Sequence, residues 1–251
     1  MVVKPRTILF TLVVVLLAAT CVRLGLWQVE RWHEKQRLNA GLRSALAAPP
    51  VEIGASAPPP ALVRDRRVRL SGRYDESRQI LLVGRAHEGA PGVEVVTPLR
   101  LEGGGAVLVE RGWLAAADGA TARPQDHPEP GVCAVTGLAR TLPARGTGRP
   151  PARLAGGSDT LWAVRDLDRS LDALFPYALA PFVVRALPDA GAPAQPLRVP
   201  PEPYDESMHV SYAIQWFMFA VILVGGSLAL AWSRRPGGPL PGAGRGRPAE
   251  S

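Results

Sequence analysis

An imidazole at the head of an apolar helix is the group in this chain with the most chemistry to offer. His209, Tyr212 and Trp216 stand at i, i+3 and i+7 where the chain enters its second long apolar stretch, so a helix there puts all three on one face. Leu24, Trp27, Gln28 and Arg31 share a face in the same way where the first apolar stretch ends. These side chains comprise a nitrogen ligand, aromatic rings, an amide, and a guanidinium whose fork of N–H donors suits a carboxylate. An ionisable group at a membrane boundary is a functional candidate by default. Each residue also has a plainer reading: His209 solvated by headgroups, Arg31 meeting their phosphates, and Trp27, Tyr212 and Trp216 anchoring helices at the interface.

Little else in the sequence points to chemistry. His33, His87, His127 and His209 are scattered, and the only lysines, Lys4 and Lys35, lie outside any phosphate-binding glycine loop. Neither G-x-S-x-G nor H-E-x-x-H occurs, so enzyme activity has no positive support. Cys21 and Cys133 are too few for a thiol metal or redox motif and read as small buried side chains. Arg111-Gly112-Trp113 reads as the end of a strand, with Gly112 allowing a bulge and Trp113 packing on the core. The net charge of +7 comes almost wholly from arginines spread among acidic residues, with no basic run interleaved with aromatics; nucleic acid is not an expected partner.

The elements that must position the two clusters are membrane spans. Residues 7–27 are apolar except for Arg23, and residues 212–232 carry no charge, each about the 20 residues that cross a hydrocarbon core of about 30 Å. The first run continues through Leu24-Gly25-Leu26-Trp27, past a signal-peptide core, and reads as an uncleaved anchor. Glu202, Asp205 and Glu206 precede the second span, whereas Arg234, Arg235, Arg245 and Arg247 follow it, which predicts a cytoplasmic C-terminus. With two spans the N-terminus is then cytoplasmic and the centre extracytoplasmic, and membrane lipid is an expected partner.

Between the spans, residues 28–48 read as a helical extension, and prolines mark a linker at 49–66. A β-rich domain over 67–187 follows from period-two patterns at Val68–Tyr74, Ile80–Val83, Val93–Leu101, Val107–Trp113, Val132–Leu138 and Phe182–Leu187. Gly103-Gly104-Gly105 supplies a hairpin, and Leu167, Leu171 and Leu174 have helical spacing. Residues 188–211 form a linker into the second span, with tails at 1–6 and 233–251. The predicted class is α+β: two transmembrane helices flanking a mostly antiparallel β domain with one packed helix.

Three segments then carry a resemblance: Leu24–Arg31 (LGLWQVER), Val109–Leu114 (VERGWL) and His209–Phe217 (HVSYAIQWF), together with Ser71-Gly72-Arg73-Tyr74 and Thr97-Pro98-Leu99. Their order and their relation to the spans resemble the surfeit locus protein family of cytochrome c oxidase assembly factors. The resemblance implies a bacterial inner-membrane protein that helps deliver or retain haem a in the oxidase catalytic subunit, in company with the haem a synthesis machinery. It implies that His209 matches the family's proposed iron ligand. An amphiphilic macrocycle with two propionates suits the remaining types: rings of Trp27, Tyr212 and Trp216 along its plane, Gln28 beside it, and Arg31 for a carboxylate. A cofactor-free scaffold that stabilises an oxidase intermediate is the alternative, with Gly225, Gly226 and Ser227 allowing close helix contact.

Overall fold

The computed structural model describes residues 5–146, 151–154 and 161–233. The arginines that orient the second span therefore lie outside the described residues. The chain divides into two compact units, one formed by residues up to Asn39 and from Tyr204 onward, the other by Ala40–Pro203.

The first unit holds most of α1 (Pro5–Ala47), which runs unbroken for 43 residues through the apolar stretch and the polar extension, its last residues from Ala40 belonging to the second unit. Pro49 and Pro50 stop it, because proline lacks an N–H and disfavours helical geometry at the residue before it. Its partner is α3 (Ser207–Ser233). The inward positions of α1, Ala18, Cys21, Gly25, Gln28, Trp32, Lys35 and Asn39, recur at alternating steps of three and four, the spacing of a two-helix seam. The matching positions are Glu206, just before α3, and His209, Ala213, Trp216, Ala220 and Ser227 within it. Asn39 meets Tyr204 and Glu206, Gln28 meets His209 and Gly25 meets Phe217, so the helices run antiparallel. Away from the seam large apolar side chains stand bare: Leu16 is 68% exposed and Val221 71%. Both helices are long and apolar enough to cross a bilayer, and this outer surface suits lipid rather than water.

The second unit is a β domain. Its strands are β1 (Val51–Ile53), β2 (Arg67–Tyr74), β3 (Ile80–His87), β4 (Ala90–Arg100), β5 (Ala106–Ala115), β6 (Cys133–Thr141), β7 (Ala152–Arg153), β8 (Trp162–Val164) and β9 (Leu179–Ala186). They form one mostly antiparallel sheet in the order β1-β2-β6-β9-β5-β4-β3-β8-β7. An added pairing of Arg73 with Arg100 and Tyr74 with Leu99 joins β2 to β4 and closes β2, β6, β9, β5 and β4 into a barrel. Alternate residues point inward, and Val68, Leu70, Leu99, Val107, Val109, Val135, Phe182 and Val184 fill the barrel. On the outer face of β3, β5 and β9, Ile80, Leu82, Leu108 and Val183 pack beneath Leu167 and Leu171.

The predicted strands all form, but three other readings change. The proline-rich segment 49–66 is built into the domain: β1 lies parallel to β2, a helical turn α2 (Pro60–Val63) follows, and Ile53 and Val63 are buried. The packed helix is a 3-10 helix at Arg169–Leu174, started by Asp168, whose carboxylate accepts from the Ser170 N–H at 2.7 Å, and followed by Pro176. Trp113 does not enter the core. It lies across Gly92, where any Cβ would meet its indole, and beside His87 at 5.5 Å between ring centroids.

Candidate functional site

Helical geometry brings His209 and Gln28 to the same level of the seam from opposite helices. His209 Nδ1 lies 2.8 Å from Gln28 Oε1, and both side chains are half-buried. Below them Gly25 is buried because the Phe217 ring occupies the space of a side chain; a Cβ on Gly25 would sit 2.6 Å from that ring. Above them Asn39, 3% exposed, clasps the approach to α3 with three bonds. Its Nδ2 donates to the Tyr204 carbonyl at 2.9 Å and to Glu206 Oε1 at 2.6 Å, and its Oδ1 accepts from the Tyr204 N–H at 2.8 Å. Lys35 stands 4.1 Å from the centre of the Tyr204 ring. Asp205 accepts from the hydroxyl and N–H of Ser207, which hold its carboxyl below the usual range. A buried polar residue at a seam position fixes register, which is the part Asn39 plays.

The other predicted residues stand apart from this pair. Trp216 is half-buried on the seam and meets Phe219 edge-on at 5.9 Å. Trp27 and Tyr212 are 47% and 46% exposed, on the flanks. Arg31 is on the surface, and its Nη1 is held 2.5 Å from Glu34 Oε2 one turn on. His209 Nε2 has no hydrogen-bond partner among the described residues, and the residue is half-buried.

The β domain holds a second polar cluster that periodicity alone missed. Where β4 and β5 pair, Val95 faces Gly112 and Val96 faces Glu110, so Arg111 is the extra residue of a bulge. Gly112 has φ +146°, and the Leu197 carbonyl passes 2.5 Å from where a Cβ would be; glycine is required on both counts. Arg111 keeps the inward parity of Val107 and Val109 and is fully buried, while the bulge shifts Trp113 to the opposite face. Its guanidinium donates to Glu129 Oε1 at 2.9 Å, the His127 carbonyl at 2.6 Å and Gln79 Oε1 at 3.4 Å, and lies 5.0 Å from the Tyr74 ring centre. Arg198 donates to the other Glu129 oxygen at 3.0 Å, while Leu197 and Trp113 exchange backbone hydrogen bonds, so the segment before α3 is laced to β5. Burial raises the Tyr74 hydroxyl pKa, with Glu129 adding to it, and burial likewise pushes up the Cys133 thiol. Every strong donor of Arg111 has an acceptor, and the cluster reads as structural.

The SURF1 family model matches residues 15–221. An uncharacterized SURF1-like protein of Mycobacterium tuberculosis is 27% identical over 227 residues, which cover 87% of this chain and 81% of that protein. A SURF1-like protein of Dictyostelium discoideum is 33% identical over 101 residues, 37% of each chain. Surfeit locus protein 1 of Takifugu rubripes is 29% identical over 115 residues, 39% of this chain and 48% of its own length. The match thus spans less than half of the Dictyostelium and Takifugu relatives.

Proposed function

The chain belongs to the SURF1 family, and from that premise we propose that it is an assembly factor for a haem-copper cytochrome c oxidase that binds haem a through His209 on its way to the catalytic subunit. The observation that carries the reading is the His209–Gln28 pair. One ring nitrogen is engaged at 2.8 Å and the other has no hydrogen-bond partner among the described residues of an apolar helix pair. That donor set fits haem, which needs one axial nitrogen from the protein and an apolar, partly aromatic surround. Haem a would bring the iron and macrocycle of the oxidase centre. This chain's own residues would do the holding: His209 supplies Nε2, Tyr212 and Trp27 offer half-exposed rings on the flanks, and Trp216 stands on the same seam as the histidine, two turns further along α3. Arg31 can reach a propionate only by exchanging Glu34, so the Arg31–Glu34 pair is a contact to be traded rather than a free cation. The proposed setting is the bacterial inner membrane, with both termini cytoplasmic on the strength of the arginine-rich tail and the β domain outside.

The test is the visible spectrum of the full chain purified from cells that make haem a, compared with His209→Ala. Loss of most of the haem in the variant is the expected result; an unchanged haem complement removes His209 as ligand.

A second reading, a cofactor-free scaffold, is favoured by Gly225 and Gly226. Among the described residues nothing lies within 4 Å of a Cβ at either, so α3 offers a small-residue face to another helix. On that reading His209→Ala leaves oxidase assembly intact, whereas Gly225→Leu with Gly226→Leu abolishes it.

A further inference from the structure

The hydrogen bond across the seam has a direction. With Gln28 Oε1 turned toward Nδ1 at 2.8 Å, the amide oxygen can only accept, which pairs it with an Nδ1–H and leaves the Nε2 lone pair free; the flipped amide would instead donate to a bare Nδ1. We propose that Gln28 is a positioning residue that fixes the His209 imidazole as its Nδ1–H tautomer, so that Nε2 is the coordinating nitrogen before any iron arrives.

The surroundings make the contact a built one. Gln28 is half-buried between the seam positions Gly25 and Trp32. Phe217 fills the space over Gly25 one turn below, and Asn39 pins the start of α3 with three hydrogen bonds above, so neither helix can slide by a turn without breaking contacts on both sides of the pair. Free neutral imidazole favours the proton on Nε2, the nitrogen a metal would need bare. An acceptor at Nδ1 reverses that preference, as the second partner of a metal-bound histidine commonly does. The inference deepens the haem reading and rests on it for its purpose, but the tautomer itself is a property of the haem-free protein.

The experiment uses the full chain in lipid nanodiscs, free of haem, with 15N-labelled histidine. The His209 signals are identified by their loss in His209→Ala, and the two ring nitrogens are read at a pH where the ring is neutral. The expected result is a protonated Nδ1 and a bare Nε2 in the wild type. Gln28→Ala is expected to move the tautomer ratio toward Nε2–H by about fivefold, the equivalent of about 1 kcal/mol for one hydrogen bond. Gln28→Glu keeps an acceptor at the same reach and is expected to retain Nδ1–H. A wild-type ring protonated on Nε2, or a ratio that Gln28→Ala does not move, overturns the inference and leaves the haem reading to stand on its own test. An unchanged haem spectrum in His209→Ala overturns the haem reading instead, and is recorded on a different sample.

Discussion

Replacing Arg111 by Met keeps a long unbranched side chain and removes a guanidinium that is wholly out of solvent. Breaking a buried ion pair from one side costs about 3–5 kcal/mol, because the remaining charge has lost its partner. Here the loss belongs at the low end, since Glu129 keeps its 3.0 Å bond from Arg198. The His127 carbonyl, which accepts from Arg111 at 2.6 Å, and Gln79 Oε1 at 3.4 Å also lose a donor, the first adding about 1 kcal/mol. Gln79 retains Thr97 at 3.2 Å and adds little. The sum is about 4 kcal/mol, which corresponds to about 8–16 °C in Tm for a domain of this size. Urea unfolding of the full chain in mild detergent, followed by the circular dichroism of the sheet, measures it. Arg111→Met should lower the midpoint without changing the slope, and the cost should shrink when Glu129→Gln is already present, because the two residues are coupled. A variant within about 1 kcal/mol of wild type, or a cost that Glu129→Gln leaves untouched, would refute the argument from the buried pair.

Three other outcomes follow from the same structure. Ala220 and Cys21 are both buried on the span seam, so oxidation of Ala220→Cys is expected to give an intramolecular crosslink to Cys21, while Val221→Cys, on the exposed side, gives none; equal yields would disprove the antiparallel register. Glu110 is 6% exposed, and burial raises its pKa despite Arg140 2.8 Å away, so the folded state holds its proton more tightly than the unfolded one. Its contribution to stability therefore falls as pH rises above the ordinary carboxylate range. Glu110→Gln should match or exceed wild-type stability at neutral pH and lose that advantage by about pH 3, where Glu is protonated in both states; denaturant titrations at the two values decide it. Asn39→Ala removes three hydrogen bonds from the approach to α3, and amide exchange at Tyr204, which bonds Asn39 Oδ1, should quicken by at least about tenfold; unchanged protection would show that the clasp is not what orders the segment.

The spans and the main strands were legible because each rests on a local signal: an unbroken apolar run in one case and a period of two in the other. What escaped was non-local. Val51–Ile53 carries no alternation long enough to notice among prolines, and becomes a strand only because β2 offers an edge. Arg111 looks like a strand residue until Glu129, His127 and Gln79 arrive from other parts of the chain to neutralise it. Trp113 reads as core because it has the parity of Val107 and Val109, yet the extra residue at Arg111 shifts that parity and turns Trp113 to the other face. The candidate site divides along the same line. Helical spacing marked His209 and Gln28 separately, but could not pair residues 181 positions apart. The i,i+3 spacing of Arg31 and Glu34 was open to reading and argues against a free guanidinium.

The seam between the spans changes character at one level. Ala18, Cys21 and Gly25 are small and dry, whereas Gln28, Lys35 and Asn39 are polar. The His209–Gln28 contact falls at the changeover, with small packed residues on one side of it and polar partners on the other. A hydrogen bond strengthens as water is excluded from it, so the packing of Phe217 over Gly25 bears on the imidazole without touching it.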